Sequence, residues 1–392
     1  MEREQQTRLL DEQGKKDARG LWEEIFQEDT KMFLDYYDRW KLPENECFGI
    51  YGEDGRLDSM VQLNPYRLRV KGREAESRYI IAVATRPERR QKGLMRRLLK
   101  ESLEYMRRKA MPFAFLMPAS DAIYRPFDFR YFYTMNTGVI GREEPRGTLR
   151  AAEASPAGAE VRARAASRQD IPELIRFYEE TAGAMYDCCT VRDVHYFEML
   201  FAELESEKGG MLLIYEGRRI AGCLSFWGLE EPEIRELLCR PEDREMVLEA
   251  VSGFFGGRIR AEGASVPLDE RKPVIMGRIA DAEAFLRLFG ADRPMTVRLS
   301  LTDPFLEENT GIWMWHLSPG GSAVRRAGRG EDGELRAETD AAGLFQWLSG
   351  AVSPGDLMEA GLLKAEAAGT GTARGILSAV RVCRAPWLNE IV

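Results

Sequence analysis

The chain has 392 residues, 44% hydrophobic and 31% charged, with a formal net charge of −8. That length exceeds what one hydrophobic core usually serves, and the composition excludes disordered and fibrous classes. Six scattered cysteines without a CxxC pair suit reduced thiols, and two distant histidines, His195 and His316, speak against a histidine-based zinc site or a serine triad.

No apolar run reaches the length of a membrane span, and the polar start MEREQQTRLL has no signal-peptide core. A cytoplasmic protein without a membrane partner is expected. Residues 20–42 read as one aromatic-rich helical segment carrying Ile25, Phe26, Phe33, Tyr36, Tyr37 and Trp40. CFGIYGEDGRLDSMVQL then reads as a hairpin, and LRVKGREAESRYIIAVATRP supplies two further strands. From Gly93 a helix places Leu94, Leu98, Met95, Leu99, Ser102 and Met106 on one face and arginines on the other. PFAFLMP is a short buried strand, and the polar Ala/Gly/Pro-rich stretch 141–160 is a linker.

Past the linker the pattern repeats. VRARAASRQDIPELIRFYEET gives a strand and helix, GGMLLIYEGRRIAGCLSFWGL a second hairpin, and IRELLCRPEDREMVLEAV a second strand–turn–helix. At an offset of about 154 residues, Arg86-Pro87-Glu88 falls on Arg240-Pro241-Glu242, while Gln91, Lys92 and Gly93 fall on Glu245, Met246 and Val247. The second copy keeps the frame and loses the glycine and the basic residues. From 291 the texture changes: MTVRLSLTDP and GIWMWHL are strands, SPGGSAVRRAGRGEDGE a turn, and DLMEAGLLKAEA a helix. Adjacent Cys188 and Cys189 suit a core position better than a disulfide. The apolar end RAPWLNEIV suggests a docked tail, since free termini fray.

Between Arg86 and Lys109 ten basic residues stand against three acidic ones, a positive island on an acidic chain. That pattern points to a local anionic ligand; nucleic acid would need a broader basic surface. The island lies where YIIAVATRPERRQKGLMRRLLK passes from strand to helix. A helix mouth offers unpaired amides and a positive dipole, Gly93 permits close approach, and Arg89, Arg90, Lys92 and Arg96 add charge where an anion would lie. The strand ending there could pair with an extended arm, and a pyrophosphate with a peptide-like arm describes coenzyme A. Neither GxxxxGK[ST] nor GxGxxG is present.

VATRPERRQKGL resembles motif A of the GNAT acetyltransferases, and MPASDAIYRPFDF at 117–129 and the ending PWLNEIV resemble segments of the Eis (enhanced intracellular survival) family, with Asp128 where glycine is common. The resemblance covers essentially the whole chain. It implies an α/β (α+β) protein: two tandem GNAT folds of mixed, mostly antiparallel sheet, at 1–150 (catalytic) and 151–290 (degenerate), then an SCP2-like α+β sterol-carrier domain at 291–392. It implies acetyl-CoA as cosubstrate and no metal, a homohexamer, and a small cationic amine as acceptor, aminoglycosides being the best-attested class. It places coenzyme A along Val83, Ala84 and Thr85, around Gln91, Lys92, Gly93, Leu94, Met95 and Arg96, and near Ala119 and Ser120. Val83 and Ala84 also read as core strand, and Arg96 as a surface helix residue.

Acetyl transfer needs a neutral amine, a polarised carbonyl and a proton for the leaving thiolate. In the MPASxxIY context of the resemblance Tyr124 is the candidate acid, a phenol near pKa ~10 suiting a thiolate near ~8.5, whereas on its own it is one of 13 tyrosines and reads as a packing residue. The resemblance implies the C-terminal carboxylate, on Val392, as base, directly or through water; Glu390 competes for that role. Acetylation of peptide or protein lysines, and lipid or sterol carriage by the C-terminal domain, are the alternative functions.

Overall fold

A computed structural model of the chain describes residues 6–141, 160–228, 230–368 and 371–390. The expected linker therefore falls mostly outside the described residues, as does Val392. Among the described residues no helix is long and apolar enough to cross a membrane.

The two hairpins and two strand–turn–helix units expected from sequence are all present, and their strands join one 14-stranded mixed sheet. From one edge the sheet runs through Thr7–Leu9, Glu46–Tyr51, Leu57–Val70, Arg73–Thr85 and Phe113–Leu116. From the other it runs through Val161–Ala165, Gly210–Glu216, Arg219–Trp227, Glu233–Cys239 and Ile259–Ala264. Each half contains one parallel pair, Arg73–Thr85 with Phe113–Leu116 and Glu233–Cys239 with Ile259–Ala264. The halves are joined by an exchange of strands. Arg130–Ile140 leaves the first half to pair with Ile259–Ala264, while Glu270–Ile279 returns to pair with Phe113–Leu116. The two exchanged strands also pair with each other, so the sheet has no seam between the halves.

Three local readings are corrected. The segment 20–42 is two helices, Glu12–Ile25 and Lys31–Trp40, because Thr30 caps a new start by accepting from the Phe33 amide at 3.1 Å. The Gly/Arg-rich stretch after the tryptophan strand is not a simple turn: Gly321–Arg326 is a strand paired with Gly311–Ser318. DLMEAGLLKAEA is helical only over Pro354–Glu359; Gly361 takes φ +71 and ends the helix, and Leu363–Ala367 becomes an edge strand.

That C-terminal unit is a five-stranded sheet whose helix Ala341–Leu348 lays Phe345 against Phe132 and Phe113 of the large sheet. A Cβ on Gly277 would collide with the Phe345 ring, so the small residue there is what lets the two sheets meet. Trp313 and Trp315 are both buried, as the period of a strand requires.

Candidate active site

The strand Arg73–Thr85 is bent where it matters. Its register against Leu57–Val70 slips between Met60 and Gln62, and Ala82 opposite the slip takes φ +49, the geometry of a β-bulge. On its other side it pairs with Phe113–Leu116 only at Arg78 and Tyr79. Beyond Tyr79 the two parallel strands part, leaving a wedge bordered by Val83 and Thr85. Ala82 and Ala84 face a buried cluster with Leu21, Trp22 and Tyr37, whereas Val83 turns to the opposite cluster with Leu94, Met95 and Tyr124. Thr85 is half-buried, its hydroxyl 2.7 Å from that of Ser59.

The wedge opens onto the expected loop. Pro87–Arg89 forms one turn of 3-10 helix, Gln91 and Gly93 take φ +62 and +74, and the helix Leu94–Arg108 begins. Gly93 supplies no capping side chain, so the first-turn amides of Leu94, Met95 and Arg96 face the loop without a cap. The charge around them is sparser than the sequence suggested. Arg89 is turned to Asp58 at 3.2 Å, Arg90 donates to the Thr85 carbonyl at 3.2 Å, and the Arg96 guanidinium lies 5.0 Å from the centre of the Phe305 ring. Exposed Lys92 forms no ion pair among the described residues.

Tyr124 closes the short helix Asp121–Tyr124, which follows exposed Ala119 and Ser120. Its ring meets Phe129 edge-on at 5.8 Å. Its hydroxyl has no hydrogen-bond partner among the described residues, and burial pushes the phenol up to about 12. Asp128 sits at φ +65, a left-handed position that aspartate tolerates, which accounts for its standing where glycine is common. Behind this turn the fully buried Arg278 donates from Nε to the Phe127 carbonyl at 2.7 Å.

A small cleft is lined by Lys41, Tyr66, Glu203 and Glu390 among others. It shares Tyr196, Glu203 and Asn389 with a second cleft that reaches Arg192, Arg235 and Glu236. Tyr66, which lines the first cleft, meets the Tyr79 ring at 6.2 Å, and the Tyr79 phenol, raised mainly by burial, also feels Tyr124. The tail is docked here. Pro386–Trp387 pairs in parallel with Cys188–Cys189, Trp387 stacks on Tyr186 at 5.1 Å, and Leu388 is fully buried. Glu390 accepts from Thr190 at 2.6 Å and from Tyr196 at 2.9 Å, which makes it an anchor of the tail. Sequence reasoning missed Lys41, Glu203 and the Arg192–Glu236 pair, whose guanidinium and carboxylate meet at 2.5 and 2.7 Å. No spacing in the sequence links these positions.

The second half lacks this opening. Its parallel strands stay paired from Glu233 to Leu237, and Ser265 continues the join by bonding both the amide and the carbonyl of Cys239 at 2.9 Å. The helix Arg244–Phe255 follows the turn Pro241–Asp243 directly, with no intervening loop. Val247 is fully buried against Gly222, and Asp243 is held by both Nη atoms of Arg219 at 2.7 Å.

An acetyltransferase (GNAT) domain model matches residues 6–132, and a sterol carrier protein domain model matches residues 282–389. Eis1 from Mycobacterium abscessus has a similar fold (TM-score 0.70, 15% identity) over 99% of this chain and 100% of its own. The chain carries a GNAT acetyltransferase domain and a sterol carrier protein domain, and it shares its overall fold with Eis1. Its fold is also similar to that of a probable N-acyltransferase of unknown function from Enterococcus faecalis V583 (TM-score 0.82, 18% identity). A GCN5-related N-acetyltransferase from Anabaena variabilis ATCC 29413 is comparable (TM-score 0.78, 16% identity); both likenesses cover 99% of this chain and 100% of the other. No curated protein matches the sequence. A GNAT domain uses an acyl-CoA donor, and among the described residues one such wedge is open, in the half that the GNAT model matches. The uncapped amides after Gly93 and the loop Gln91–Gly93 fit a pyrophosphate, and the parted strands fit an extended arm.

Proposed function

We propose that this Eis-like GNAT transfers an acetyl group from acetyl-CoA to a primary amine, by direct attack and without an acyl-enzyme. The acceptor class implied by the resemblance is the polycationic amines, aminoglycosides among them. The observation that carries the reading is the buried, unpartnered Tyr124 phenol, which shares one cluster with Val83 and Leu94 at the mouth of the wedge. In the proposed reaction the amine nitrogen bonds to the thioester carbonyl carbon, the C–S bond breaks with its electron pair on sulfur, and Tyr124 gives its proton to the thiolate. The attacking nitrogen loses a proton to the carboxylate of Val392, directly or through water. Val83, Ala84 and Thr85 would border the pantetheine arm. Gln91, Lys92, Gly93, Leu94, Met95 and Arg96 would surround the pyrophosphate, Arg96 through its backbone, and Ala119 and Ser120 would flank the thioester. The homohexamer and the cytoplasmic setting belong to the same proposal.

Lipid carriage is the weaker alternative. The interior of the C-terminal unit is filled by its own Trp315 and Trp347, which meet edge-on at 6.1 Å and are each at most 1% exposed. Lysines of peptides remain acceptors under the same chemistry. The test is thiol release from acetyl-CoA across aminoglycosides, polyamines, amino acids and peptides. Release that depends on the amine supports the proposal; no release with any amine sinks it.

A further inference from the structure

Asp58 stands on the strand Leu57–Val70 and is 1% exposed. Its carboxylate holds Arg89, whose Nε lies 3.3 Å from Oδ1 and 3.2 Å from Oδ2, and Arg89 closes the turn Pro87–Arg89. The Asp58 carbonyl accepts from the Arg86 amide at 2.9 Å, so both flanks of the turn are fastened to one strand residue. Arg86 adds a second hold. Its Nε donates to the Leu57 carbonyl at 2.9 Å, and its guanidinium pairs with Glu24 near the end of the helix Glu12–Ile25. Just past Arg89 comes the loop, with Gln91 at φ +62 and Gly93 at φ +74. A left-handed residue other than glycine persists only when its surroundings hold it there.

The second half repeats this tie without the cofactor wedge. Thr85 corresponds to Cys239 at the repeat offset, and across the ladder from them stand Ser59 and Gly222. The strand of Asp58 therefore corresponds to that of Arg219, and Arg89 corresponds to Asp243. Arg219 holds Asp243 through both Nη atoms at 2.7 Å. The same strand-to-turn ion pair is thus built twice, with its charges exchanged. The hold of Arg86 on a helix end is repeated as well, since Arg240 stands 3.5 Å from Glu180, the last residue of the helix Ile171–Glu180. The parallel strands of that half stay zipped, so the tie belongs to the frame and does not need a positive charge on the turn. An Arg89 swung out to a phosphate would also withdraw its guanidinium from a carboxylate that water barely reaches, which is costly.

Resting on the reading of Gln91–Gly93 and the first-turn amides as the pyrophosphate site, we infer that Asp58 and Arg89 are positioning residues for the donor. The pair fixes the turn so that the left-handed loop and the amides of Leu94, Met95 and Arg96 stand ready for the phosphates. The Arg89 guanidinium stays on Asp58 and does not itself bind them.

The experiment is calorimetric titration of the full chain with coenzyme A, for the unaltered protein, Asp58→Asn, Arg89→Gln, the double variant and Arg89→Lys. Asp58→Asn and Arg89→Gln should each weaken coenzyme A by about tenfold. The double variant should bind no more weakly than either single one, because the pair acts as a unit. Arg89→Lys keeps a cation beside Asp58 and should recover most of the affinity. With any amine that the chain acetylates, the loss should fall on the KM for acetyl-CoA and spare kcat, a split that general loss of structure does not produce. A phosphate-binding Arg89 gives the opposite sign, since Asp58→Asn would free the guanidinium and tighten coenzyme A. Unchanged or tighter binding in Asp58→Asn overturns the inference, as do additive losses in the double variant. A crystal structure of the unaltered chain with coenzyme A needs no variant to fold: Arg89 on Asp58 supports the inference, and Arg89 on a phosphate oxygen overturns it. Failure of the underlying reading is distinguishable. If the unaltered chain binds coenzyme A but no amine releases thiol, acetyl transfer falls and the titrations still decide this inference; if it binds no coenzyme A, both fall.

Discussion

The Arg278 guanidinium and the Asp303 carboxylate meet at 2.7 Å, and neither side chain is exposed to solvent. Arg278 lies on the strand Glu270–Ile279 that returns from the second half, and it also holds the Phe127 carbonyl three residues past Tyr124. Asp303 in turn accepts from the Phe305 and Leu306 amides, and Phe305 packs on Phe127 at 5.2 Å. Removing Asp303 leaves the buried Arg278 with only the more distant Asp128, at 4.0 Å, as a carboxylate partner. Asp303→Ala should therefore destabilise the chain by about 3–5 kcal/mol. Urea unfolding followed by fluorescence measures this, and a loss under about 1 kcal/mol would contradict the role given to the pair.

Tyr124→Phe keeps the ring and its contact with Phe129 but removes the proton. Turnover should fall about 100-fold or more while the dissociation constant for coenzyme A stays put. The pH dependence has a definite sign. Tyr124 must be protonated to act, and burial raises its phenol to about 12, so the active form persists through the neutral and mildly alkaline range. No falling alkaline limb of kcat due to Tyr124 is expected below about pH 10. A limb that vanishes in Tyr124→Phe would refute the assignment.

At φ +74, Gly93 occupies backbone space that a β-branched side chain resists, although a Cβ there would meet nothing within 4 Å. Gly93→Val should thus act through the loop conformation. The KM for acetyl-CoA should rise by about tenfold, matching a strain of ~1–2 kcal/mol at one left-handed residue. An unchanged KM would mean that the loop does not hold the cofactor.

Ser265 and Val247 close the second half at the places where the first half opens. Calorimetric titration with coenzyme A should give one site per chain. Two equivalent sites would show that the second unit is not degenerate.

Glu390→Ala removes the acceptor for Thr190 and Tyr196 and leaves Arg192 with one fewer anion nearby. The tail should be cut faster by carboxypeptidase, and kcat should drop with the KM for acetyl-CoA unchanged. Extension of the chain beyond Val392 should lower kcat in the same way if the terminal carboxylate is the base. Full activity in the extended chain would remove it from the mechanism.

Much of the first unit was legible because its signals are local. Pro87 after an apolar run, Gly93 before a leucine-periodic helix, and turn residues between two apolar stretches each specify a backbone conformation through their own sterics. The same reasoning recovered the repeat, since Arg240-Pro241-Glu242 rebuilds the same turn. It failed for Gly321–Arg326 and Leu363–Ala367, whose strand identity comes from neighbours that supply backbone partners. It also overcounted the charge at the helix mouth, because Asp58 and Phe305 claim Arg89 and Arg96 from far along the chain.

The sequence by itself determined the strand–loop–helix that suits a pyrophosphate and the buried character of the tail, while Tyr124 was singled out by the resemblance. Only the tertiary structure decided the exchange of Arg130–Ile140 with Glu270–Ile279, the zipping of the second wedge, and the meeting of Lys41, Glu203 and Glu390 in one cleft. The physical reason is that ladder hydrogen bonds are made by backbone groups common to nearly every residue, so strand pairing leaves little mark on residue type. The chemistry of a cleft depends on which distant side chains are buried together, and this one brings Lys41 beside Glu390, 349 residues later in the chain.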